Sequence, residues 1–363
     1  MKLLVQPGDG VQPLIKGIAA AKKSVEIVIF RFDQRELERA LASAVARGID
    51  VHALIAHTNR AGEESLRKLE QRLLGAGVTV ARTADDLVRY HGKMMIVDHR
   101  ELYVLAFNLT YADIERSRSF GLITQNRDLV REAGKLFEAD TKRHPYEPGT
   151  GRFVVSPINA RKELAAFIKG ARKELVIYDP KISDRSMLRL LAERAAAGVS
   201  IRIIGRITQK VAGAKSHKPS VTRLHTRTMV RDKNLVFIGS QSLRELELDG
   251  RREVGVIFRD TKVAGRILRT FEEDWAACEK MGPAAEEEET APTAKIAKKV
   301  AKALTKELPP ITPLLDGAVR EYVGELKDVD LNPQEVEQLV KGAVKAAVRE
   351  AVRDVVEEVV VNR

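Results

Sequence analysis

The chain has 363 residues, 44% hydrophobic and 31% charged, which is enough for two ordinary domains with substantial cores. Apolar runs such as residues 25–30 are too short to span a bilayer, and a lone Cys278 excludes an intramolecular disulfide framework or a Cys-rich metal site. Residues 283–363 carry 12 Lys/Arg against 16 Asp/Glu, leaving 50 basic against 35 acidic residues in 1–282, an excess suited to a polyanionic partner.

The N-terminus, MKLLVQPGDG, reads as a first strand and turn rather than a signal peptide, so the cytoplasm is the expected address. A helix ending in basic residues then leads into the apolar strand at Val25–Phe30, followed by a helix with Leu37, Leu41, Ala44 and Val45 on one face. Gly48 stands where a helix-terminating glycine belongs, before the next strand. A helix near 62–75 and a strand near 78–82 precede the segment His91-Gly-Lys93-Met-Met-Ile-Val-Asp98. Pro145, Pro148, Gly149 and Gly151 mark a crossover.

Beyond the crossover the pattern repeats. Ala171-Arg-Lys-Glu-Leu-Val-Ile-Tyr matches Ala21-Lys-Lys-Ser-Val-Glu-Ile-Val at an offset of 150, as does Gly198 with Gly48. A second helix carries Met187, Leu188, Leu191 and Ala195. The basic segment Gly213–Pro219 reads as a loop, connecting chain or substrate contact alike, where the first copy has a helix and strand. His225-Thr-Arg227-Thr-Met-Val-Arg-Asp232 then echoes the earlier motif at an offset of 134. After Gly282 an acidic linker leads to three expected helices near 293–307, 312–327 and 333–360. The last has an N-cap, N1 proline and N3 glutamate at Asn332, Pro333 and Glu335 and a valine-rich stripe for core packing or oligomerisation. The expected organisation is a repeat over 1–144, a second over 145–282, and a linker with helical tail over 283–363, each repeat an α/β unit with its own sheet.

Both motifs have the form His-x-(Lys/Arg)-x4-Asp, expected to begin on a strand, where residues two apart share a face. An imidazole beside a fixed cation matches what a phosphodiester requires: a group to attack or protonate, and one to hold anionic oxygens. With the duplication, these residues resemble the phospholipase D superfamily, whose signature is His-x-Lys-x4-Asp followed by Gly-Ser-x-Asn, over about residues 1–280. The resemblance implies two repeated α/β-sandwich units related by a pseudo-two-fold axis. His91, Lys93, Asp98 and Asn108 match in the first half, although Leu105-Ala106 replaces Gly-Ser. In the second half His225, Asp232 and Gly239-Ser240 match, whereas Arg227 replaces Lys and Ser242 replaces Asn. The family's carboxylate, about 28 residues after each histidine and bonded to the opposite one, falls on Glu253 but on Ser119 in the first half.

If the pairing crosses the axis, Glu253 orients His91, which is then the expected nucleophile, with His225 as acid and base. Lys93, Arg227 and Asn108 are expected on the non-bridging oxygens, Ser240 and Ser242 beside the substrate, and Asp98 and Asp232 as caps of the turns that follow them. No metal or other cofactor is expected, the two cations taking that role. His52, His57, His99, His144 and His217 read as surface or packing residues. The expected partner is an anionic phosphodiester: a phospholipid, slightly favoured, with peripheral contact to a membrane surface, or a nucleic acid. Four departures (Ser119, Ala106, Arg227, Ser242) also leave open a lapsed, phosphate-binding module, and the tail could join a homo-oligomer.

Overall fold

The computed structural model describes residues 1–58, 63–218 and 222–281; the expected tail helices lie outside the described residues. In chain order the first half runs β1 (Lys2–Gln6), α1 (Gln12–Ala20), β2 (Ser24–Ile29), α2 (Arg35–Ala46), β3 (Asp50–Ile55), α3 (Glu63–Gly75) and β4 (Thr79–Arg82). It continues with β5 (Arg89–Tyr90), β6 (Met94–Val97), β7 (Glu101–Leu105), α4 (Tyr111–Glu115), β8 (Ser117–Thr124) and α5 (Arg127–Lys142). The second half comprises β9 (Phe153–Val155), α6 (Ala160–Lys169), β10 (Glu174–Ile182), α7 (Arg185–Ala196), β11 (Ser200–Ile207), β12 (Ala214–His217) and β13 (Arg223–Leu224). There follow β14 (Arg227–Arg231), β15 (Leu235–Gly239), a π-helical turn (Leu246–Gly250), β16 (Arg251–Arg252), β17 (Val254–Arg259) and α8 (Thr261–Met281).

Two mixed sheets result, ordered β1-β8-β7-β6-β2-β3-β4 and β12-β11-β10-β14-β15-β17-β9. Each repeat places a parallel pair from its βα unit, β2–β3 or β10–β11, beside an antiparallel meander that starts at the motif strand. Gly48 and Gly198, at φ +80° and +87°, end α2 and α7 in the left-handed conformation that glycine adopts without a Cβ penalty.

The segment expected as a basic loop is corrected in part: Ala214–His217 forms β12, parallel to β11 as β4 is to β3. It is an edge strand with no fully buried residue, so backbone pairing defines it and no hydrophobic alternation betrays it. Relative to the first repeat, the helical insertion is what the second lacks.

Each sheet packs its βα helices on one face: Leu14, Leu37 and Leu69 in the first half, Leu164, Met187 and Leu191 in the second. A third core is shared, joining Val104, Phe120 and Phe137 to Tyr178, Ile238 and Phe271. Symmetric ion pairs cross it. Arg118 meets Asp274 of α8 at 2.7 Å, and Arg252, 134 positions later, meets Asp140 of α5 at 3.2 Å. The molecule is thus a duplicated α/β fold whose halves close around one core. Among the described residues, no helix is long and apolar enough to cross a membrane.

Candidate active site

Short strands from one half deliver each motif histidine to the other. β5 pairs in parallel with β16, Arg89 opposite Arg251 and Tyr90 opposite Arg252, and His91 N donates to Arg252 O at 2.7 Å. In the same way β13 pairs with β8, Arg223 opposite Ser117, and His225 N donates to Arg118 O at 3.1 Å. Each histidine is therefore held against the residue just before position 253 or 119 of the opposite half. His91 and Lys93 precede β6 rather than lying within it, as the expectation of a motif starting on a strand had them. His91, Lys93, Asn108 and His225 are all buried.

The His91 ring packs edge-on against Phe30 with centroids 4.5 Å apart. Its Nδ1 lies 2.9 and 2.8 Å from the two oxygens of Glu253, a residue with no exposed surface. Burial, then Lys93 and Arg227, holds the imidazole well below its ordinary pKa. It is thus neutral, with Nδ1–H donated to Glu253 and Nε2 carrying a lone pair. Lys93 Nζ lies 3.0 Å from that Nε2 and donates to His91 O at 2.8 Å. Burial pushes the Glu253 carboxyl up to about 7, opposed by Lys93, Arg251 and a hydrogen bond from Ser240. Burial likewise brings the Lys93 ammonium down to about 7 against the pull of Glu253. Ser240, expected beside the substrate, instead braces Glu253 and bonds the Val254 backbone.

Around His225 the chemistry differs. Ser119, standing where Glu253 stands in the other half, is buried with no hydrogen-bond partner for its hydroxyl. Asp113 of α4 supplies a carboxylate in its place, with Oδ2 3.0 Å from His225 Nε2. Burial alone would raise the Asp113 carboxyl. The charges of His225 and Arg223, and hydrogen bonds from Arg223 and Asn108 N, hold it instead well below the usual carboxylate range. Burial holds the His225 imidazole well below its ordinary pKa, with Asp113 opposing and Arg223, Arg227 and Lys93 adding to the depression. Asn108 Nδ2 donates to Asp113 Oδ2 at 2.7 Å and lies 3.2 Å from His225 Nε2, while its Oδ1 is buried without a partner. Its amide thus positions the Asp113–His225 pair. Sequence reasoning passed over Asp113; the available signal was that the 134-residue offset maps it onto the acidic Glu247.

Arg227 donates from Nε to Ser242 Oγ at 3.1 Å and from Nη1 to His225 O at 3.0 Å. Ser242 also bonds Asp179, so it anchors the guanidinium. Lys93 and Arg227 each depress both imidazoles, which gathers the two histidines and two cations at one site.

Asp98 and Asp232 are not phosphate ligands, and the turn-cap expectation needs correction. Each sits at positive φ (54° and 49°) as the first of three residues linking β6 to β7 and β14 to β15. Their carboxylates accept backbone N–H groups from the loop entering the neighbouring strand: Lys22, Lys23 and Ser24 for Asp98, and Arg172, Lys173 and Glu174 for Asp232. His52 and His99 line a cavity of about 940 Å³ beside α5 that contains no motif residue. Among the described residues, no group of three His, Cys, Asp or Glu side chains is arranged to hold a metal ion.

Residues 14–141 and 164–275 match the family described as cardiolipin synthase, PLD-like domain, one segment in each half. A mitochondrial cardiolipin hydrolase of Danio rerio is 29% identical over 130 residues, 35% of this chain and 56% of that protein. The chain spans about half the length of the curated relatives it matches. Among solved structures, the polyphosphate kinase of Porphyromonas gingivalis superposes with a TM-score of 0.63 at 18% identity, covering 75% of this chain and 49% of that one. The phosphatidylserine synthase of Haemophilus influenzae gives 0.57 at 12% identity, covering 76% and 85%. These likenesses show the same duplicated fold. The paired motifs, the closure of two repeats around one core and the match in both halves lead to one assignment: the chain belongs to the phospholipase D superfamily, in the family of the cardiolipin synthase PLD-like domain.

Proposed function

We propose that the protein cleaves or transfers a phosphodiester through a covalent phosphohistidine on His91. One observation carries this reading: a neutral imidazole with Nδ1 engaged by Glu253 and a lone pair on Nε2 beside Lys93. Nε2 attacks phosphorus, forming P–N as the P–O bond to the leaving alcohol breaks, and Glu253 stabilises the imidazolium that develops. His225, in the charged form that Asp113 favours and the approaching anionic diester supports, gives its proton to the leaving oxygen. In the second stage it takes a proton from water or an acceptor alcohol, whose oxygen bonds phosphorus as P–N breaks and His91 is restored. Lys93 and Arg227 hold the non-bridging oxygens, on which negative charge concentrates in the transition state.

A phospholipid is the favoured substrate class, supported by the family description and by the names of the Danio rerio and Haemophilus influenzae proteins. The basic excess of residues 1–282 supports a nucleic acid as the second reading. The hold of Asp113 on His225 Nε2 is what a lapsed, binding-only protein would also tolerate. The test is turnover of bis-p-nitrophenyl phosphate in EDTA by the wild type and His91→Ala, followed by phosphatidylcholine, cardiolipin and plasmid DNA. Turnover that vanishes in His91→Ala is expected; no turnover of any diester would leave binding alone. Release of headgroup or nicking of plasmid decides between lipid and nucleic acid.

A further inference from the structure

The cavity beside α5 contains no motif residue, and it originates in an asymmetry between the two halves. The ion pairs Arg118–Asp274 and Arg252–Asp140 match α5 to α8 at an offset of 134, while β2–β3 matches β10–β11 at 150. In the second half the equivalent place is filled by side chains. Arg202 lies over the rings of Phe271 and Trp275, 5.3 and 5.7 Å from their centroids, and reaches Glu272 of α8 at 2.6 Å. The two rings stack with centroids 5.5 Å apart, and Leu268 packs against the same core.

In the first half the offsets put Phe137 and Glu138 at the corresponding positions, but His52 stands for Arg202, Gly134 for Leu268 and Thr141 for Trp275. The smaller side chains leave a cavity of about 940 Å³, the size that small ligands occupy, with Phe137 in its wall. A Cβ on Gly134 would meet only His99 Nδ1, at 3.8 Å, so packing within the chain does not demand a glycine there. Glycine in mid-helix is destabilising, which makes its presence at this wall informative.

Polar groups face the same space. Glu26 stands where the second half has the buried Val176, and its Oε2 is buried without a hydrogen-bond partner, as is Thr141 Oγ1. Burial raises the Glu26 carboxyl while His99 and His52 lower it. A carboxylate oxygen taken from water in this way calls for an N–H donor. Arg131, Lys135 and Lys142 also line the cavity and are answered by Asp128, Glu132 and Glu138. Arg100 and Arg127 line it too and form no ion pair among the described residues, although Asp98 acts on Arg100 from a greater distance.

We propose that this cavity binds a purine nucleotide, its ring against Phe137 as Trp275 lies against Phe271, its base edge on Glu26 and its phosphate on Arg127 and Arg100. A purine is close to an indole in size, and a base stacks on any aromatic face. Guanine offers an ionised Glu26 two adjacent N–H donors; adenine suits the protonated acid, which donates once and accepts once. None of these residues belongs to either motif, so binding here is independent of the phosphohistidine reaction.

Titration calorimetry of the full chain in EDTA tests the site, with GMP, AMP, guanosine, adenosine and ribose 5-phosphate as probes. The better of the two nucleotides is expected to bind at least about tenfold tighter than its nucleoside or ribose 5-phosphate. Thr141→Trp and Gly134→Leu, which restore the side chains of the second half, should each weaken that nucleotide at least about tenfold. Arg127→Gln should bring it close to its nucleoside, and thermal melts identify the variants that remain folded. Ribose 5-phosphate or the nucleoside binding as tightly as the nucleotide would overturn the site, as would full affinity in a folded Thr141→Trp or Gly134→Leu protein. Affinity that survives both substitutions and is lost in Lys93→Ala would place the nucleotide at the motif residues and equally overturn it.

Discussion

Replacing Glu253 by Gln should make the fold more stable and the site nearly inert. The Glu253 side chain has no exposed surface, and burial raises its carboxyl from 4.5 to about 7. A carboxyl raised on folding opposes the fold once it ionises. The penalty is absent below pH 4.5, grows as pH climbs to about 7, and is constant above. At 1.36 kcal/mol for each tenfold change in acidity, that rise makes the penalty about 3 kcal/mol. Gln mimics the protonated acid, so at pH 8 Glu253→Gln should gain about that amount, a rise in melting temperature of roughly 5–10 °C for a unit of this size. At pH 4 the two proteins should melt together.

The same change removes the charge that stabilises the His91 imidazolium. By analogy with triads whose orienting carboxylate becomes an amide, kcat should fall about 10³–10⁴-fold, or about 4–5.5 kcal/mol of transition-state stabilisation. Thermal melts at pH 4 and 8, with bis-p-nitrophenyl phosphate kinetics at pH 7–8, measure both. A variant less stable than wild type at pH 8, or one within tenfold of its activity, would refute the reasoning.

The remaining predictions follow from the same geometry. Acid quench with a labelled diester should place the label on His91, and label on any other residue would refute the role assignment. Activity should be bell-shaped about neutrality: it falls below about pH 7 as Glu253 gains a proton and above about pH 7 as Lys93 loses one. A flat profile from pH 5.5 to 8.5 would contradict this pairing. Asp113→Asn leaves Arg223 and His225 without their shared counter-charge and should cost about 3 kcal/mol near neutrality. Because the Asp113 carboxyl is depressed, that cost should shrink as pH falls below 3.8 toward its folded pKa, as urea titrations at several pH values would register. Asp98→Ala orphans three backbone donors and should destabilise by about 2 kcal/mol in denaturant melts while leaving kcat within a few-fold.

Local pattern carried the regular parts of the fold. Gly48 and Gly198 announce equivalent helix ends because a left-handed position after a helix favours glycine, and the apolar runs of β2 and β10 announce buried strands. β12 escaped because an edge strand needs no apolar face. At the site, His91, Lys93, His225 and Arg227 were legible from spacing, and Glu253 from the resemblance. Asp113 was not, since it replaces Ser119 from a different element, five residues after Asn108 and on the other ring nitrogen.

The chain by itself determined that there are two copies of one α/β unit, each bringing an imidazole and a cation two residues apart, because periodicity and spacing are properties of neighbours along the backbone. Tertiary structure brought each ring to its partner, and it alone chose the one for His225. Glu253 reaches His91 across 162 residues, and Asp113 reaches His225 across 112. A proton's position depends on charges within a few ångströms in a dry interior, and those distances exist only after the halves have closed on each other.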